Sequence, residues 1–541
     1  MIVNRVLSIQ AAGWMTQIAA IIALLLFSTR RHDPKPTAPP GRASWSHCAL
    51  AVCGAWAWRL ACLFLLASLG FHYSIPDDAS RFYLSWGWYK RPYLITWDGI
   101  WQGGTFYANG LAMHLIHDPL AAVRCVAVLF NLLALLGVFL FTEGIYRDHR
   151  HSILAVLFAA PWWIGIVVGA GTMPETPLVG CLLCGAGLFL IGLSATPRYR
   201  SLAWWAAALC FAAATSFHMV AWMVLGPILV VLLVYAWISQ RQGGAFRLTT
   251  WTWFAAVSVS YCVVWLIGCW VKFGSPFDAI ERNAHSLIRD SGITLLSARL
   301  SAYPRALLHN LWPLLPLVLF GTVWGSVRTG PDRGRVRTVL TTIGLGLGVL
   351  IASAVAANPD GHPYTTVTLF SMALLPIALS PLLYLLSATR THTRRQRIGA
   401  LALVALVGVF WAWDNHALAM RSLRGAGGPD TDAIAVGTWL RAEMLTPHLL
   451  DLGASAPPVR VWTDSHLKDL AILYACGLLG RLEQWEPDTA PVDSMQQGQY
   501  LVTDRDIQNT KLTLRFKVAR YNVYQLGRLA PGTMLQNAGG R

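Results

Sequence analysis

The chain has 541 residues, of which 55% are hydrophobic and 13% charged, with a formal net charge of +16. An ordinary soluble domain carries about a quarter charged residues, so this composition excludes a water-soluble fold that hides all its apolar surface in a core. The charge excess does not mark a nucleic-acid binder: residues 414–541 hold 13 Lys and Arg against 13 Asp and Glu, which leaves 29 basic and 13 acidic residues in 1–413, the apolar part.

Runs of about 18 apolar residues, each able to cross about 30 Å of hydrocarbon as a helix, recur twelve times. They lie near 8–27, 47–71, 119–142, 152–169, 176–194, 201–216, 218–238, 252–271, 306–326, 339–357, 364–388 and 398–413. A basic, proline-rich stretch follows the first run in place of a small-residue cleavage site, so it reads as a retained helix. Lys and Arg gather in alternate loops, as at Arg147 and Arg150, Arg241 and Arg247, and Arg394, Arg395 and Arg397. By the positive-inside rule these loops are cytoplasmic. The N-terminus, the segments 72–118, 170–175, 272–305 and 358–363, and the C-terminal tail then face outward.

The expected fold is mainly α: a polytopic transmembrane helix bundle of about 12 spans with a small extracytoplasmic α/β C-terminal domain. Three parts follow: 1–46, an N-terminal helix and basic cytoplasmic loop; 47–413, the transmembrane body; and 414–541, the tail. In the tail the pattern predicts helices near 434–444 and 467–477 and strands at 459–463, 500–503 and within 512–526. It carries no phosphate-loop or nucleophile-elbow motif, and an accessory or acceptor-facing role is expected. Nine of the ten cysteines lie in or beside apolar runs and only Cys476 falls in the tail, with no metal-site spacing and no disulfide framework.

The first long outer loop is dense in aromatic residues, among them Trp86, Trp88, Tyr89, Tyr93, Trp97, Trp101 and Tyr107. Rings with polar edges settle at headgroup level, which predicts one or two helices lying in the interface. The run PDDASRFY, 76–83, adds Asp77 and Asp78 just beyond the second span. Either acid would serve as a helix N-cap, or as a general base or metal ligand in a membrane-level pocket that raises its pKa by desolvation. The second acid is Glu175 in GTMPETP, 171–177, between two spans; it complements the dipole of the helix that follows or points into the bundle. Basic groups on the same side are Arg81, Lys90, Arg91, Lys272, Arg282, Arg289, Arg299 and Arg305, with His218 in a short outer turn and His362 in NPDGHPY. Arg81, Lys90, Arg91, His218, Lys272 and His362 are the candidates to hold a phosphate. The carboxylates with a His are compatible with Mg²⁺ or Mn²⁺, but their spacing is not diagnostic. Arg59, inside the second span, reads as snorkelling or as an interhelical contact.

An outward acidic pair after an early helix, an aromatic interfacial loop, a second acid in the next outer loop and an extracytoplasmic tail together resemble the GT-C glycosyltransferase superfamily. Within it the chain looks most like the bacterial relatives of the protein O-mannosyltransferases and of the lipid A aminoarabinose transferase. The resemblance covers roughly 47–413 and rests on PDDASRFY, GTMPETP, KFGSPFDAI at 272–280 and HPYTTVTLFSMALLPIAL at 362–379. It implies a polyprenyl-phosphate sugar donor, inverting transfer on the outer face of the inner membrane, and a lipid, glycan or protein acceptor. It makes Asp77 the base, Asp78 its partner and Glu175 the second acid. The chain departs from the family's frequent Asp-Glu pair by Asp77-Asp78, and from its Arg-Tyr by Pro363-Tyr364. The Trp-Trp-Asp signature of oligosaccharyltransferases is missing. A transporter or flippase of a lipid-linked sugar is the rival class; it would place ionisable groups near the midplane and show related halves.

Overall fold

The structure is a computed structural model. It describes residues 14–26, 45–68, 76–96, 101–116, 118–291, 295–327, 332–357, 363–388, 393–425, 431–444, 461–464, 482–485, 495, 499–503, 507, 512–518, 521–527 and 536–537. The expected helix at 467–477 lies outside them.

A short apolar helix, α1 (Trp14–Leu26), precedes α2 (Trp45–Ser68). Next come α3 (Pro76–Lys90) and α4 (Gly104–Leu115), the helices expected in the aromatic loop. The body continues through α5 (Pro119–Tyr146), α6 (His149–Ala159), α7 (Trp163–Val167), α8 (Glu175–Gly192), α9 (Pro197–Phe217), α10 (Met219–Arg241), α11 (Leu248–Ser258) and α12 (Ser260–Phe273). Its second half holds α13 (Asp278–Ser291), α14 (Leu296–Leu311), α15 (Leu315–Val327), α16 (Arg333–Ala357), α17 (Pro363–Thr366), α18 (Thr368–Ala388) and α19 (Arg394–Gly425). The last helix is α20 (Thr431–Met444).

Among the described residues eight helices are long and apolar enough to span a bilayer, α14 and α15 counting together, and two bent pairs bring the number to ten. The chain is therefore a multi-pass membrane protein. The two further spans expected from the sequence are α1, described over 13 residues, and α9, a 21-residue helix whose first turn carries Arg198 and Arg200. The bundle has one end rich in arginine, where Arg147, Arg150, Arg241, Arg335 and Arg397 stand at helix termini, and an opposite end capped by α3 and α4.

The bundle centre is the parallel pair α5 and α8. A Cβ at Gly137 would come within 2.8 Å of the Gly180 carbonyl, and one at Gly144 within 2.9 Å of the Gly187 carbonyl. Two glycine pairs seven residues apart on each helix let the backbones touch, the packing that small residues permit where water supplies no drive between helices.

The expected span at 152–169 is broken. Pro161 cannot donate to the helical ladder, and α6 turns by 65° into the following helical segment. A break inside the bundle frees carbonyls that lipid cannot satisfy. Trp411 Nε1 donates to the Phe158 carbonyl at 2.7 Å, and Arg59 donates through Nη2 to Ala159 at 2.9 Å and through Nε to Ala160 at 3.4 Å. On the far side Asn415 Oδ1 accepts from the Trp163 amide at 3.0 Å. Arg59, fully buried, is thus an interhelical clamp rather than a snorkelling residue. Likewise, Trp14 Nε1 and Gln17 Nε2 of α1 donate to the carbonyls of Trp312 and Pro313, between α14 and α15, at 3.0 and 2.7 Å.

The tail forms a six-stranded sheet, β1 (Val461–Asp464), β2 (Leu482–Trp485), β3 (Tyr500–Thr503), β4 (Leu512–Val518), β5 (Tyr521–Leu526) and β6 (Gln536–Asn537), in the order β2-β1-β3-β5-β4-β6. The stretch expected as strand within 512–526 folds as the antiparallel hairpin β4–β5. Trp439 of α20 stacks on Phe516 of β4 at 5.1 Å. The sheet's core is continuous with the layer below: Val436, Leu440, Tyr500 and Val523 cluster with Phe82 of α3, Met113 of α4 and Val123 of α5.

Candidate functional site at the α3–α4 end of the bundle

Asp77 and Asp78 occupy the second and third positions of α3; their side chains lie outside the described residues. One helical turn beyond Asp77, Arg81 is buried, and its guanidinium carbon lies 4.2 Å from the centroid of the Trp101 ring. Ser85, a further turn along, donates to the Arg81 carbonyl at 2.7 Å and accepts from Asn109 Nδ2 of α4 at 3.2 Å. Two more polar side chains are buried beside Trp101, Gln102 at 4% and Thr105 at 1% exposure. Among the described residues Gln102 Nε2 and Thr105 Oγ1 have no hydrogen-bond partner. A buried donor left unmade costs about 1–3 kcal/mol, so these two groups are held at a cost in stability.

The segment between α3 and α4 is stitched down from several sides. Trp88 Nε1 donates to the Tyr93 carbonyl at 3.0 Å, Tyr93 Oη to Leu84 at 2.7 Å and Tyr107 Oη to Leu94 at 2.7 Å. Burial pushes the Tyr107 phenol up, against a hydrogen bond with Tyr261 that lowers it, so the hydroxyl stays protonated as a donor. Tyr261 Oη accepts from the Gly103 amide at 3.1 Å. Lys272, at the end of α12, donates through Nζ to the carbonyls of Ile95 and Thr96 at 3.1 and 2.7 Å.

A chain of contacts leads from this layer to Glu175. A Cβ at Gly104 would come within 2.6 Å of Ser216 Oγ, so α4 begins directly on the last turn of α9. The next residues are Phe217, whose ring meets Phe130 of α5 edge-on at 5.4 Å, and His218, whose Nδ1 accepts from the Val220 amide at 3.1 Å and caps α10. Beside Phe130, Asn131 donates to the Gly169 carbonyl at 2.9 Å and accepts from Arg59 Nη1 at 3.0 Å. Gly169 leads into GTMPETP, and residues 171–177 are all buried.

Glu175, 4% exposed, opens α8. By the glycine register its level along α5 is that of Leu132, about 20 Å below Pro119 at 1.5 Å per residue. The loop read from the sequence as an outer turn is therefore sunk in the bundle, below the α3–α4 layer. Arg81, Gln102 and Thr105 lie in the α3–α4 layer, His218 follows the turn of α9 against which α4 begins, and Glu175 lies deeper in the bundle.

The remaining basic candidates stand apart from it. Lys90 is exposed, over the rings of Tyr89 and Trp86 at 5.0 and 5.4 Å, and Arg91 is exposed beside it. Lys272 is exposed and engaged with the loop. Arg282 pairs with Asp278 on its own helix at 2.7 Å. His362 lies outside the described residues. Among the described residues no three His, Cys, Asp or Glu side chains converge. Sequence reasoning missed Gln102, Thr105 and Asn109 in the outer segment and Asn131 in an apolar run: isolated uncharged polar residues carry no spacing signal, and only their burial singles them out.

No family model matches the sequence, and no curated protein matches it. Solved structures do match. ArnT from Cupriavidus metallidurans bound to undecaprenyl phosphate is similar at a TM-score of 0.62 and 13% identity, over 89% of this chain and 98% of that one. The same protein in the apo state gives a TM-score of 0.46 at 14% identity, over 87% and 98%. At 13% identity the likeness is one of fold: the chain folds like the undecaprenyl-phosphate-bound ArnT over most of its length.

Proposed function

We propose that the protein is an inverting glycosyltransferase that takes a sugar from a polyprenyl phosphate and delivers it to an extracytoplasmic acceptor at the outer face of the inner membrane. The observation that carries this reading is the fold shared with ArnT, which was solved with undecaprenyl phosphate bound, over 89% of this chain. The region joining α3 to Glu175 supports it chemically: a buried guanidinium, two orphaned polar groups and a buried acid suit an anionic, hydroxyl-rich substrate better than they suit a packed core.

Asp77 accepts the proton of the acceptor group. The acceptor oxygen attacks the anomeric carbon from the face opposite the phosphate, the carbon–oxygen bond to phosphate breaks, and its electron pair leaves on the polyprenyl phosphate. Phosphate is already a competent leaving group, so the base is the contribution the protein most needs, typically about a hundredfold to ten-thousandfold. Arg81 balances charge on the departing phosphate, with its orientation fixed by Trp101. Asp78 orients Asp77, while Gln102 and Thr105 bond the donor. Lys272, Lys90, Arg91 and His362 supply the wider positive field that guides an anionic lipid to the site, while His218, a neutral ring with Nδ1 accepting from the Val220 amide, offers Nε2–H as a donor to the phosphate.

The test is turnover of a synthetic polyprenyl-phosphate sugar by the purified full chain, with the released polyprenyl phosphate and the glycosylated acceptor quantified together. Equal yields of the two support transfer. Movement of the intact donor across a vesicle bilayer with no release would assign the protein to lipid-linked sugar transport instead.

A further inference from the structure

Outside the lining described above, two cavities open on the flank of the bundle. One, of about 350 Å³, lies between α6, α18 and α19; its walls are leucines and Ile153, and its polar members are Arg150, Arg397 and Ser387. Arg150 stands in the first turn of α6, Arg397 in the first turn of α19 and Ser387 in the last turn of α18, so all three belong to the arginine-rich end. The second cavity, of about 340 Å³, lies between α2, α6 and α19 and is lined by Gly54, Trp58, Gly408 and Trp411 among others. Leu157 lines both, so the two cavities adjoin along the α6–α19 flank and form the two halves of one groove-like channel divided at its side chain.

The channel's length is informative. From Arg397 to Gly408 along α19 is about 16 Å at 1.5 Å per residue, close to half of a hydrocarbon core of about 30 Å. It therefore runs from headgroup level to the bilayer midplane. Gly54 leaves room along its α2 wall, where a Cβ would meet nothing within 4 Å. Its side is open, since Leu157 is 49% and Leu401 57% exposed. Positive charge dominates its mouth, where Arg394 and Arg395 stand exposed on the same turn as Arg397. The nearest acid in sequence, Asp148, accepts from the Arg150 amide at 3.0 Å as the N-cap of α6.

We propose that this channel is a binding site for one phospholipid of the cytoplasmic leaflet with an anionic headgroup, its phosphate held by Arg150 and Arg397 and one acyl chain laid between α6 and α19. Charge complementarity selects the headgroup, because basic pockets between helices on the cytoplasmic side are where anionic lipids bind. The span from the arginine pair to Gly408 selects a chain that ends at the midplane. The site is separate from the transfer reaction and does not depend on it.

The test uses the delipidated full chain in detergent, titrated with dioleoyl phosphatidylglycerol or dioleoyl phosphatidylethanolamine, with bound lipid counted by native mass spectrometry. The wild type retains the anionic lipid over the zwitterionic one. Arg150→Gln and Arg397→Gln each weaken phosphatidylglycerol binding about fivefold, and the double variant about thirtyfold. Leu157→Trp, which fills the channel from an exposed position, lowers retention of both lipids, whereas Arg241→Gln, at the same end but outside the groove, changes neither. Equal retention of the two lipids by the wild type, or a double variant indistinguishable from it, overturns the proposal. So does a dimer lost on Leu157→Trp, which gives the groove to a second copy of the chain.

Discussion

The guanidinium of Arg81 lies over the face of Trp101, 4.2 Å from its centroid, one helical turn from Asp77. A cation on an aromatic face is held by about 0.5–2 kcal/mol, so Trp101 fixes where the charge of Arg81 is presented. Trp101→Leu should raise the donor KM about threefold to thirtyfold with a smaller change in kcat. Arg81→Gln, which removes the charge itself, should lower kcat/KM further. Steady-state kinetics at varied donor concentration separate the two, and unchanged kinetics in both variants would remove Arg81 from the site.

Gln102 offers a sharper distinction between substrate recognition and packing. Its Nε2 is buried with no partner among the described residues, and removing such a group relieves a penalty of about 1–3 kcal/mol. Gln102→Leu should leave the melting temperature in detergent unchanged or raise it while weakening donor binding about tenfold. A fall in stability with normal donor binding would make Gln102 an ordinary core residue.

Lys272 joins the end of α12 to the carbonyls of Ile95 and Thr96. Lys272→Ala should free that segment, seen as faster amide hydrogen exchange over residues 91–96, with a loss of turnover that Lys272→Arg restores in part. Lost donor affinity with unaltered exchange would instead place Lys272 directly on the donor phosphate.

The clamp at the broken helix is a matter of stability alone. Arg59 is fully buried and donates to two freed carbonyls and to Asn131. Arg59→Met strips the donor from the Ala160 carbonyl and from Asn131 and leaves Ala159 only the Trp162 amide at 3.3 Å, which should cost about 2–4 kcal/mol, read as a lower melting temperature and poor yield from the membrane. A variant as stable as the wild type would show that the break needs no clamp.

The bundle was legible because apolar runs of spanning length are a strong signal, and the strand at 500–503 because its boundaries coincide with turn residues. The break at Pro161 was not, since a proline in an apolar run is compatible with either a kink or a span end, and only Arg59, Trp411 and Asn415 decide it. The depth of Glu175 was hidden for a related reason. Loop length says that two helices turn there, while the level of the turn is set by the register of Gly137 on Gly180 and Gly144 on Gly187. Lys272 was chosen for its charge, whereas its placement shows two backbone carbonyls as its partners. Gln102 and Thr105 became visible only through burial.

If the first acid of α3 removes the acceptor proton, one pair of variants of the purified full chain shows it. Asp77→Asn keeps the size of the side chain and abolishes proton acceptance, so turnover of a polyprenyl-phosphate sugar should fall about a hundredfold to ten-thousandfold while equilibrium binding of the donor persists. Asp78→Asn should fall less, as a residue that orients its neighbour. Near-normal turnover by Asp77→Asn together with an inactive Asp78→Asn would reverse the two roles, and full activity in both variants would contradict base catalysis from this helix altogether.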